Sequence, residues 1–276
     1  MMRSLWTAAS GMRAQQVNVD TIANNVANIN TIGYKSQQAS FKSLLYQNLQ
    51  STSTNNAGEN KPVAAEVGLG SRVAAITSTF TQGNLTHVEN PFSVALEGDG
   101  FFQIRTQSGE LQYTRDGSFE ISPVANGNML CTSDGNPVLD AYGNAIVLPS
   151  NRVATDLVVN QDGTLAFPDG TGNPAVITDA NGRPVKFGIY QFNNPAGLSK
   201  EGSNDYSVTV ASGAAVAENG NAAVKQTKTH QYYTEASNVD VANEMVNLIV
   251  AQRAYEMNSK AIQASDEMMQ QANALR

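Results

Sequence analysis

Side chains that commonly carry out covalent or metal chemistry are scarce in this chain of 276 residues. It has two histidines, His87 and His230, and one cysteine, Cys131. The histidines do not fit HExxH or a similar metal-binding spacing, and a nucleophilic cysteine would need a base beside it. We therefore predict that both histidines are structural or surface residues and that Cys131 is a small buried group outside any disulfide.

The remaining candidates for chemistry are short acidic, glycine-rich or cationic runs. Residues 97–100, EGDG, lack the Lys-Ser/Thr of a phosphate loop, and Glu97 with Asp99 is a poor acid pair for wall hydrolysis. The Asp-Gly and Asn-Gly dipeptides lack the ligand spacing of an EF-hand calcium loop, so they indicate hairpin turns. Arg105 and Arg115 flank Tyr113 and are expected to form a solvent-facing cross-strand pair. We predict no enzyme activity and no catalytic, cofactor-binding or metal-binding residues.

Composition restricts the classes of partner. Seventeen basic against 24 acidic residues give a net charge of −7 and a pI near 4.8, which argues against nucleic-acid binding. No run approaches the ~18 to 20 apolar residues of a membrane span. The first 16 residues are interrupted by Ser4, Thr7 and Ser10, so they lack the apolar stretch of a cleaved signal peptide. Export, if it occurs, is expected without such cleavage.

Heptad spacing predicts a long helix at each end of the chain. The first extends to about Asn28, with apolar residues at most a and d positions; the second starts from a capping box of Ser237 and Asp240. The d positions of the second helix are polar or small, so it requires more than one partner surface. Residues 1–50 carry a net charge of +3 and residues 231–276 carry −3, which favours pairing of the two ends. The d positions are Glu244, Ala251, Asn258, Ser265 and Ala272.

The middle of the chain has the pattern of short strands and tight turns. Eight Xaa-Gly turn dipeptides lie between Ser108 and Gly182, spaced in the first part as in a sandwich or barrel. The expected fold class is α+β, with long N- and C-terminal helices pairing coaxially and a central all-β domain of short strands and hairpins. The expected domains are a helical region 1–50, a linker or extended arm 51–69, a β domain 70–232 and a C-terminal helix 233–276.

Six motifs stand out along the chain: LWTAASGM at 5–12, ANNVANINTIGYK at 23–35, LEGDGFF at 96–102, YTRDGSF at 113–119, SNVDVA at 237–242 and QRAYEMNSK at 252–260. Together they resemble bacterial flagellar rod and hook proteins. Residues 47–64 also resemble, in position, a segment that separates rod members of this family from hook members.

The resemblance implies a structural subunit that polymerises with itself into a hollow helical tube. The tube would transmit torque from motor to hook and serve as an export channel in the flagellar basal body, spanning the periplasm where the host has an outer membrane. Implied partners are proximal rod and hook proteins, the rings that surround the rod, and the flagellar export apparatus. The implied subunit-packing residues of the inner helical layer are Leu5, Met12, Val19, Ile22, Asn24, Asn25, Val26, Asn28, Ile29, Val241, Met245, Leu248, Tyr255, Ile262 and Met269.

Two other interpretations stay open from the sequence. The chain could be a binding module whose helices form a closed coiled coil that presents the β domain to a ligand such as cell-wall glycan. It could also be a sibling rod or hook protein of the same family. An enzyme is a distant third.

Overall fold

A computed structural model describes residues 2–50, 65–124, 127–150, 152–168, 174–178, 182–221 and 224–274. The chain divides into two compact units. The helical unit comprises Met1–Ala27, Gln37–Ser78 and Asp240–Arg276, and the β unit comprises Asn28–Ser36 and Thr79–Val239. The prediction of one helix at each end and a β-rich centre of short strands is confirmed.

The helical unit is built on two long helices, α1 at Met2–Ala27 and α2 at Val241–Ala274. The sequence predicts a capping box at Ser237, but Asp240 caps α2 instead. Its Oδ1 accepts the Ala242 N–H at 3.0 Å, and its carbonyl accepts the first helical bond, from Glu244, at 3.0 Å. This cap satisfies backbone donors that the first turn would otherwise leave unpaired. The hydroxyl of Ser237 accepts the Val239 N–H, two residues on, at 3.3 Å, so it forms a local turn.

A two-stranded ribbon completes the helical unit and corrects the expectation that residues 1–50 are helical. Strand β1, Gln37–Ser43, pairs antiparallel with β4, Ser71–Ser78, and β2, Tyr46–Gln50, pairs with β3, Ala65–Gly68. Helix α1 ends at Ala27, where the chain enters a turn. In the ribbon that follows, β-branched and aromatic residues favour extended backbone. The expected linker therefore contains a strand at 65–68, while residues 51–64 lie outside the described part of the chain.

The β unit is antiparallel throughout its described sheets. Its largest sheet has six strands in the order β16-β17-β8-β7-β15-β18, beside two sheets of three and two of two. The strands are β5 Leu85–His87, β6 Val94–Glu97, β7 Phe101–Arg105, β8 Leu111–Thr114, β9 Glu120–Val124, β10 Gly127–Cys131, β11 Val147–Leu148, β12 Val158–Val159, β13 Leu165–Pro168, β14 Pro174–Val176, β15 Ile189–Gln191, β16 Ser199–Gly202, β17 Asp205–Ser207, β18 Val216–Ala217, β19 Lys228–Gln231 and β20 Tyr233–Glu235. Two short 3₁₀ turns lie at Ala154–Asp156 and Pro195–Gly197.

Two apolar clusters form the core of the β unit. The larger holds fifteen buried side chains and is centred on Phe102, Phe119 and Phe187, whose rings pack within 6 Å of one another. The smaller packs Phe101, Tyr113, Phe192, Leu198 and Tyr206. Burial on this scale stabilises the unit without neighbours, because each fully buried large side chain contributes about 1.5–3 kcal/mol.

Most predicted turn glycines occupy turns, with one exception. Gly109, Gly135, Gly143, Gly163 and Gly182 have positive φ, the region that glycine tolerates best. Asn126, Asp169-Gly170 and Asn181 lie outside the described residues, and Gly127 begins β10. Gly117 instead passes close to β6: it accepts the Val94 N–H at 2.9 Å, and a Cβ there would lie 1.8 Å from the Val94 carbonyl oxygen. Glycine at this position therefore permits close backbone approach rather than a hairpin.

Candidate assembly surface

The two helices run antiparallel in strict heptad register. Ser4 Oγ lies 3.4 Å from Ser265 Oγ, a Cβ on Gly11 would lie 2.8 Å from Asn258 Nδ2, and Asn25 donates to Glu244 Oε1 at 2.9 Å. Each step of seven or fourteen residues along α1 matches an equal step backwards along α2. The residue numbers of each of these three pairs therefore sum to 269.

The contact between α1 and α2, which we call the seam, is lined largely by small and polar side chains. On α2 it uses the d positions of the predicted heptad, among them Ala251 and Ser265, which are buried. On α1 it includes Ser4, Gly11 and Asn25. Small residues let the helix backbones approach closely, but they bury little apolar area. The larger apolar side chains of both helices therefore lie mainly beside the seam or away from it.

Asn25 joins three elements of the helical unit. Its Nδ2 donates to the Gln37 carbonyl at 2.8 Å and to Glu244 Oε1 at 2.9 Å, and its Oδ1 accepts the Gln37 N–H at 2.8 Å. Asn25 is 1% exposed, so these bonds are made away from water. The side chain ties α1 to the start of β1 and to the first turn of α2. A buried polar residue in a helix pair fixes register, because every shifted alignment leaves it unsatisfied.

Outside the seam, α2 carries a second apolar row, which we call the outer stripe. It consists of Val246, Ile249, Val250 and Met257, and each of the four is at least 49% exposed. Val246 and Ile249 each lie two residues from a seam position, about 200° round the helix at 3.6 residues per turn. Val250 and Met257 each lie one residue before a seam position, about 100° round the helix.

A mostly apolar groove of about 720 Å³, the outer groove, lies between α1 and the ribbon. Its lining includes Trp6, Leu44, Leu69 and Val73, with the cations of Arg13 and Arg72. Ser10 holds the ribbon against α1, since its hydroxyl donates to the Thr7 carbonyl at 2.8 Å and accepts the Ser71 N–H at 3.2 Å. Trp6 is 74% exposed despite its size. A monomer that exposes contiguous apolar surface of this kind commonly uses it for interaction.

The structure distributes the predicted packing residues over several environments. Ile22 and Asn25 are buried within the chain, and Asn24, Val241, Met245 and Tyr255 are exposed. Asn28 and Ile29 follow the end of α1 and belong to the β unit, so Ile29 is not a helical d position. Asn28 and Ile29 are half-buried, as are the helical members Leu5, Met12, Val19, Val26, Leu248, Ile262 and Met269.

A shallow cavity beside the seam brings two predicted residues together. Val19 and Tyr255 line it with Gln16, Gln252 and Glu256, and its volume is about 400 Å³. Sequence reasoning missed Trp6 and the outer stripe, because it followed one heptad per helix. The signal that could have found the stripe is a second set of apolar residues in α2, displaced from the first.

The residues considered for chemistry occupy ordinary structural settings. His230 Nε2 lies 2.7 Å from Glu97 Oε2, and hydrogen bonding to that histidine lowers the pKa of Glu97. The imidazole of His87 packs against Tyr232 and Tyr233. Cys131 is buried, as predicted, and burial raises the pKa of its thiol. Across the described ranges, no cluster of three or more His, Cys, Asp or Glu side chains could hold a metal ion.

A buried ion cluster in the β unit corrects the expectation for Arg115. Glu235 Oε1 accepts from Lys35 Nζ at 2.5 Å, and its Oε2 lies 3.4 Å from Arg115 Nη1. Arg115 is 2% exposed and covers the Phe101 ring at 4.8 Å, so it is not a surface residue. Burial lowers the pKa of Lys35, and the charge of Glu235 opposes that shift. Gly33 also joins this cluster, since its N–H donates to the Glu235 carbonyl at 2.8 Å.

Neither described helix has an 18-residue stretch apolar enough to cross a membrane.

Comparison with known proteins gives matches along the whole chain. Three family models match: "Flagella basal body rod protein" at residues 5–35, "Flagellar hook protein FlgE/F/G D1 domain" at 95–167, and "Flagellar basal body rod FlgEFG protein C-terminal" at 230–275. The chain is 43% identical over 282 residues to the flagellar basal-body rod protein FlgG of Borreliella burgdorferi, covering 100% of this chain and 99% of that protein. It is 38% identical over 279 residues to FlgG of Caulobacter vibrioides, with 100% of both chains covered. It is 33% identical over 283 residues to the flagellar hook-basal body complex protein FlhP of Bacillus subtilis, again with 100% of both chains covered.

Proposed function

Because this chain belongs to the flagellar basal-body rod protein family, we propose that it is a structural subunit of the rod that polymerises through its helical unit. The similarity to FlgG proteins extends over full length, and we assign the chain to the distal part of the rod. No enzymatic step is part of this proposal.

The observation that carries the proposal is the imbalance of apolar burial in the helical unit. Among its described residues, four hydrophobic side chains are buried, namely Ala8, Ala14, Ile22 and Ala251. Fifteen large hydrophobic side chains of the same unit are exposed. Apolar surface of this extent is stabilised when it leaves water, and further copies of the chain would supply the missing cover.

The polymer is a tube whose inner layer consists of the helices α1 and α2, paired coaxially, and whose outer layer consists of the β unit. The residues exposed on the helices, such as Met245 and Tyr255, would contact neighbouring subunits directly. Asn25 would act within the subunit by holding its helices in register. Contacts between unlike surfaces extend without closing, which gives a filament rather than a ring.

Within the basal body, such a tube acts as a drive shaft between motor and hook and as a channel for exported subunits. Proximal rod and hook proteins would contact its ends, the rings would surround it, and the export apparatus would deliver its subunits. The rod would span the periplasm in a host with an outer membrane. These roles require stiffness and self-association, and they place no chemistry on the residues of the chain.

The binding-module alternative requires that the helices satisfy each other within one copy. The polar seam and the exposed outer stripe argue against it, since a closed pair would place Val250 and Met257 inside rather than outside. The proposal is tested with Val250→Asp, which puts a charge on the outer stripe. Val210→Asp is the matched control, because Val210 is a fully exposed valine of the β unit.

We expect the purified chain and the Val210→Asp variant to form tubes that sediment and are visible by electron microscopy. The Val250→Asp variant should stay in the supernatant with the circular dichroism spectrum of the unmodified monomer. Tubes of normal length from Val250→Asp would contradict the assembly role of the helical unit.

A further inference from the structure

A tight turn follows strand β18 at one edge of the six-stranded sheet, and it contains the pair Asn219-Gly220. The Asn221 N–H donates to the Glu218 carbonyl at 3.2 Å and closes the turn. Gly220 has a φ of 78°, which glycine adopts without steric cost. Asn219 and Gly220 are both exposed. Water and dissolved bases therefore have free access to this pair.

Glu218 anchors the base of the turn to the sheet. Its Oε1 accepts from Gln191 Nε2 at 2.7 Å and from Thr227 Oγ1 at 2.6 Å, and its Oε2 accepts the Thr227 N–H at 2.7 Å. The N–H of Glu218 donates to the Ile189 carbonyl at 3.1 Å. Glu218 is 5% exposed, so these bonds are made away from water. The first residue of the turn is thereby fixed.

The next two residues carry groups that can react with each other, and neither group is restrained. Within the part of the chain that the structure describes, neither the side-chain amide of Asn219 nor the backbone N–H of Gly220 makes a hydrogen bond. A Cβ placed on Gly220 would meet nothing within 4 Å beyond its own chain neighbours, so the peptide unit between the two residues can rotate freely. The amide carbon of asparagine is an electrophile, and the following backbone nitrogen is a nucleophile once a base removes its proton. Because the two groups belong to adjacent residues, their reaction is intramolecular and has a high effective concentration.

From this arrangement we propose that Asn219 is a modification site, at which the side-chain amide is lost without an enzyme. The Gly220 nitrogen, deprotonated by hydroxide or a buffer base, bonds to Asn219 Cγ. The bond from Cγ to Nδ2 breaks, and ammonia leaves with a proton returned by the base. Water then opens the resulting five-membered imide. Opening at Cγ gives aspartate, and opening at the backbone carbonyl carbon gives isoaspartate, so the net reaction consumes one water and releases one ammonia.

Both products change the edge of the sheet. Each places a new carboxylate next to Glu218 and makes the acidic chain more negative by one charge. Isoaspartate also adds one carbon to the backbone path, so the bond from the Asn221 N–H to the Glu218 carbonyl loses its geometry. The modification therefore adds charge and opens the turn, while the anchor of Glu218 to Thr227 lies outside the altered segment.

The test follows the full chain by peptide mass spectrometry during days in mildly alkaline buffer. We expect the peptide that contains Asn219 to gain the mass difference between an amide and a carboxylic acid, in two isomers that chromatography separates. Fragment spectra locate the change within the peptide. A parallel sample in guanidinium chloride should convert at a similar rate, because the fold leaves the reacting pair unrestrained.

Asn219→Gln is the matched variant, because it keeps an exposed amide but would have to form a six-membered ring, which closes far more slowly. We expect this variant to lose the acidic forms of the peptide and to keep the circular dichroism spectrum of the unmodified chain. Asn84 is the internal control: it is exposed, but the branched side chain of Leu85 hinders attack by the next nitrogen. The Asn-Gly pairs at 126–127 and 181–182 lie in other peptides and are scored separately.

Conversion at Asn219 in the native chain, with little at Asn84 and none in the variant, supports the proposal. An intact Asn219 in the native chain, whether or not the denatured chain converts, overturns it, because the fold would then protect the pair. Equal conversion at Asn84 would also overturn it, since Gly220 would have no special part. None of these results depends on tube formation, so they leave the test of the proposed function separate.

Discussion

Glu235 holds two cations of the β unit with a single carboxylate. Lys35 and Arg115 bind its two oxygens, and the Gly83 N–H donates to Oε1 at 2.8 Å. Lys35 is 200 residues from Glu235 along the chain, and the cluster is buried. Sequence spacing could not reveal these partners, because burial and pairing at such separation depend on the tertiary fold. The motif that contains Arg115 was recognisable, but its role was not.

Glu235→Gln should destabilise the β unit strongly. The amide keeps the shape of the side chain but leaves Lys35 and Arg115 buried without a counter-charge. We expect a loss of about 3–5 kcal/mol in the free energy of unfolding, measured by urea denaturation with β-unit fluorescence or circular dichroism. The control Glu97→Gln alters an exposed pair with His230 and should leave the midpoint unchanged. Equal midpoints for both variants would mean that the buried cluster contributes nothing.

The buried Asp205 side chain makes the stability of the folded state fall as pH rises, whereas an ion-paired acid makes it rise. Burial raises its pKa to about 7, the Thr114 side chain opposes this, and the charges of Asp134 and Asp116 add to it. An aspartate in the unfolded chain has a pKa near 3.9. Between these values the folded state binds a proton that the unfolded state lacks, so stability falls as pH rises from about 4 to 7.

Asp205→Asn should therefore raise the melting temperature at pH 8 and change it little at pH 4. Each kcal/mol corresponds to about 2–4 °C for a unit of this size. Differential scanning calorimetry at the two pH values measures the difference. An increase of the same size at both would show that the carboxylate is not destabilised by burial.

The sequence was enough to predict the two helices of the helical unit, but not the faces through which they contact each other. Heptads in the sequence predict both helices, and α1 ends at Ala27, within one residue of the expected end. The ribbon was not predicted, because its polar, exposed strands have little alternation. The seam was not predicted either, since periodicity shows which residues share a face and not which face meets the partner helix. Gly11 beside Asn258 shows that close approach selects the small face.

Asn25→Ala should weaken the seam by about 2–3 kcal/mol, because the buried Gln37 backbone groups and Glu244 lose their partner. Asn247→Ala is the matched control: Asn247 lies on α2 and is exposed. Thermal melts followed at 222 nm should show a lower helical transition for the first variant and an unchanged one for the second. Equal helical melting temperatures for the two variants would show that Asn25 does not hold the two helices in register.

At the scale of the whole molecule, the two units differ in how far they satisfy themselves. The β unit has two apolar clusters, whereas the helical unit exposes much of its apolar surface. Local stability follows buried apolar contact, so the helices of an isolated copy should open more readily than the β core. The family resemblance in the sequence led us to expect self-association. The structure adds the positions of the apolar surfaces that would make it.

Hydrogen–deuterium exchange of the dilute chain and of its sedimented polymer tests whether the helical unit needs neighbouring copies to cover its apolar surface. We expect the amides of α1 and α2 to exchange faster than those of the β core in the dilute chain. On assembly they should slow by at least about tenfold, which corresponds to ~1.4 kcal/mol, while strands such as β7 and β13 stay unchanged. Helices as well protected in the dilute chain as in the polymer would contradict the account, because their apolar surface would then need no neighbour.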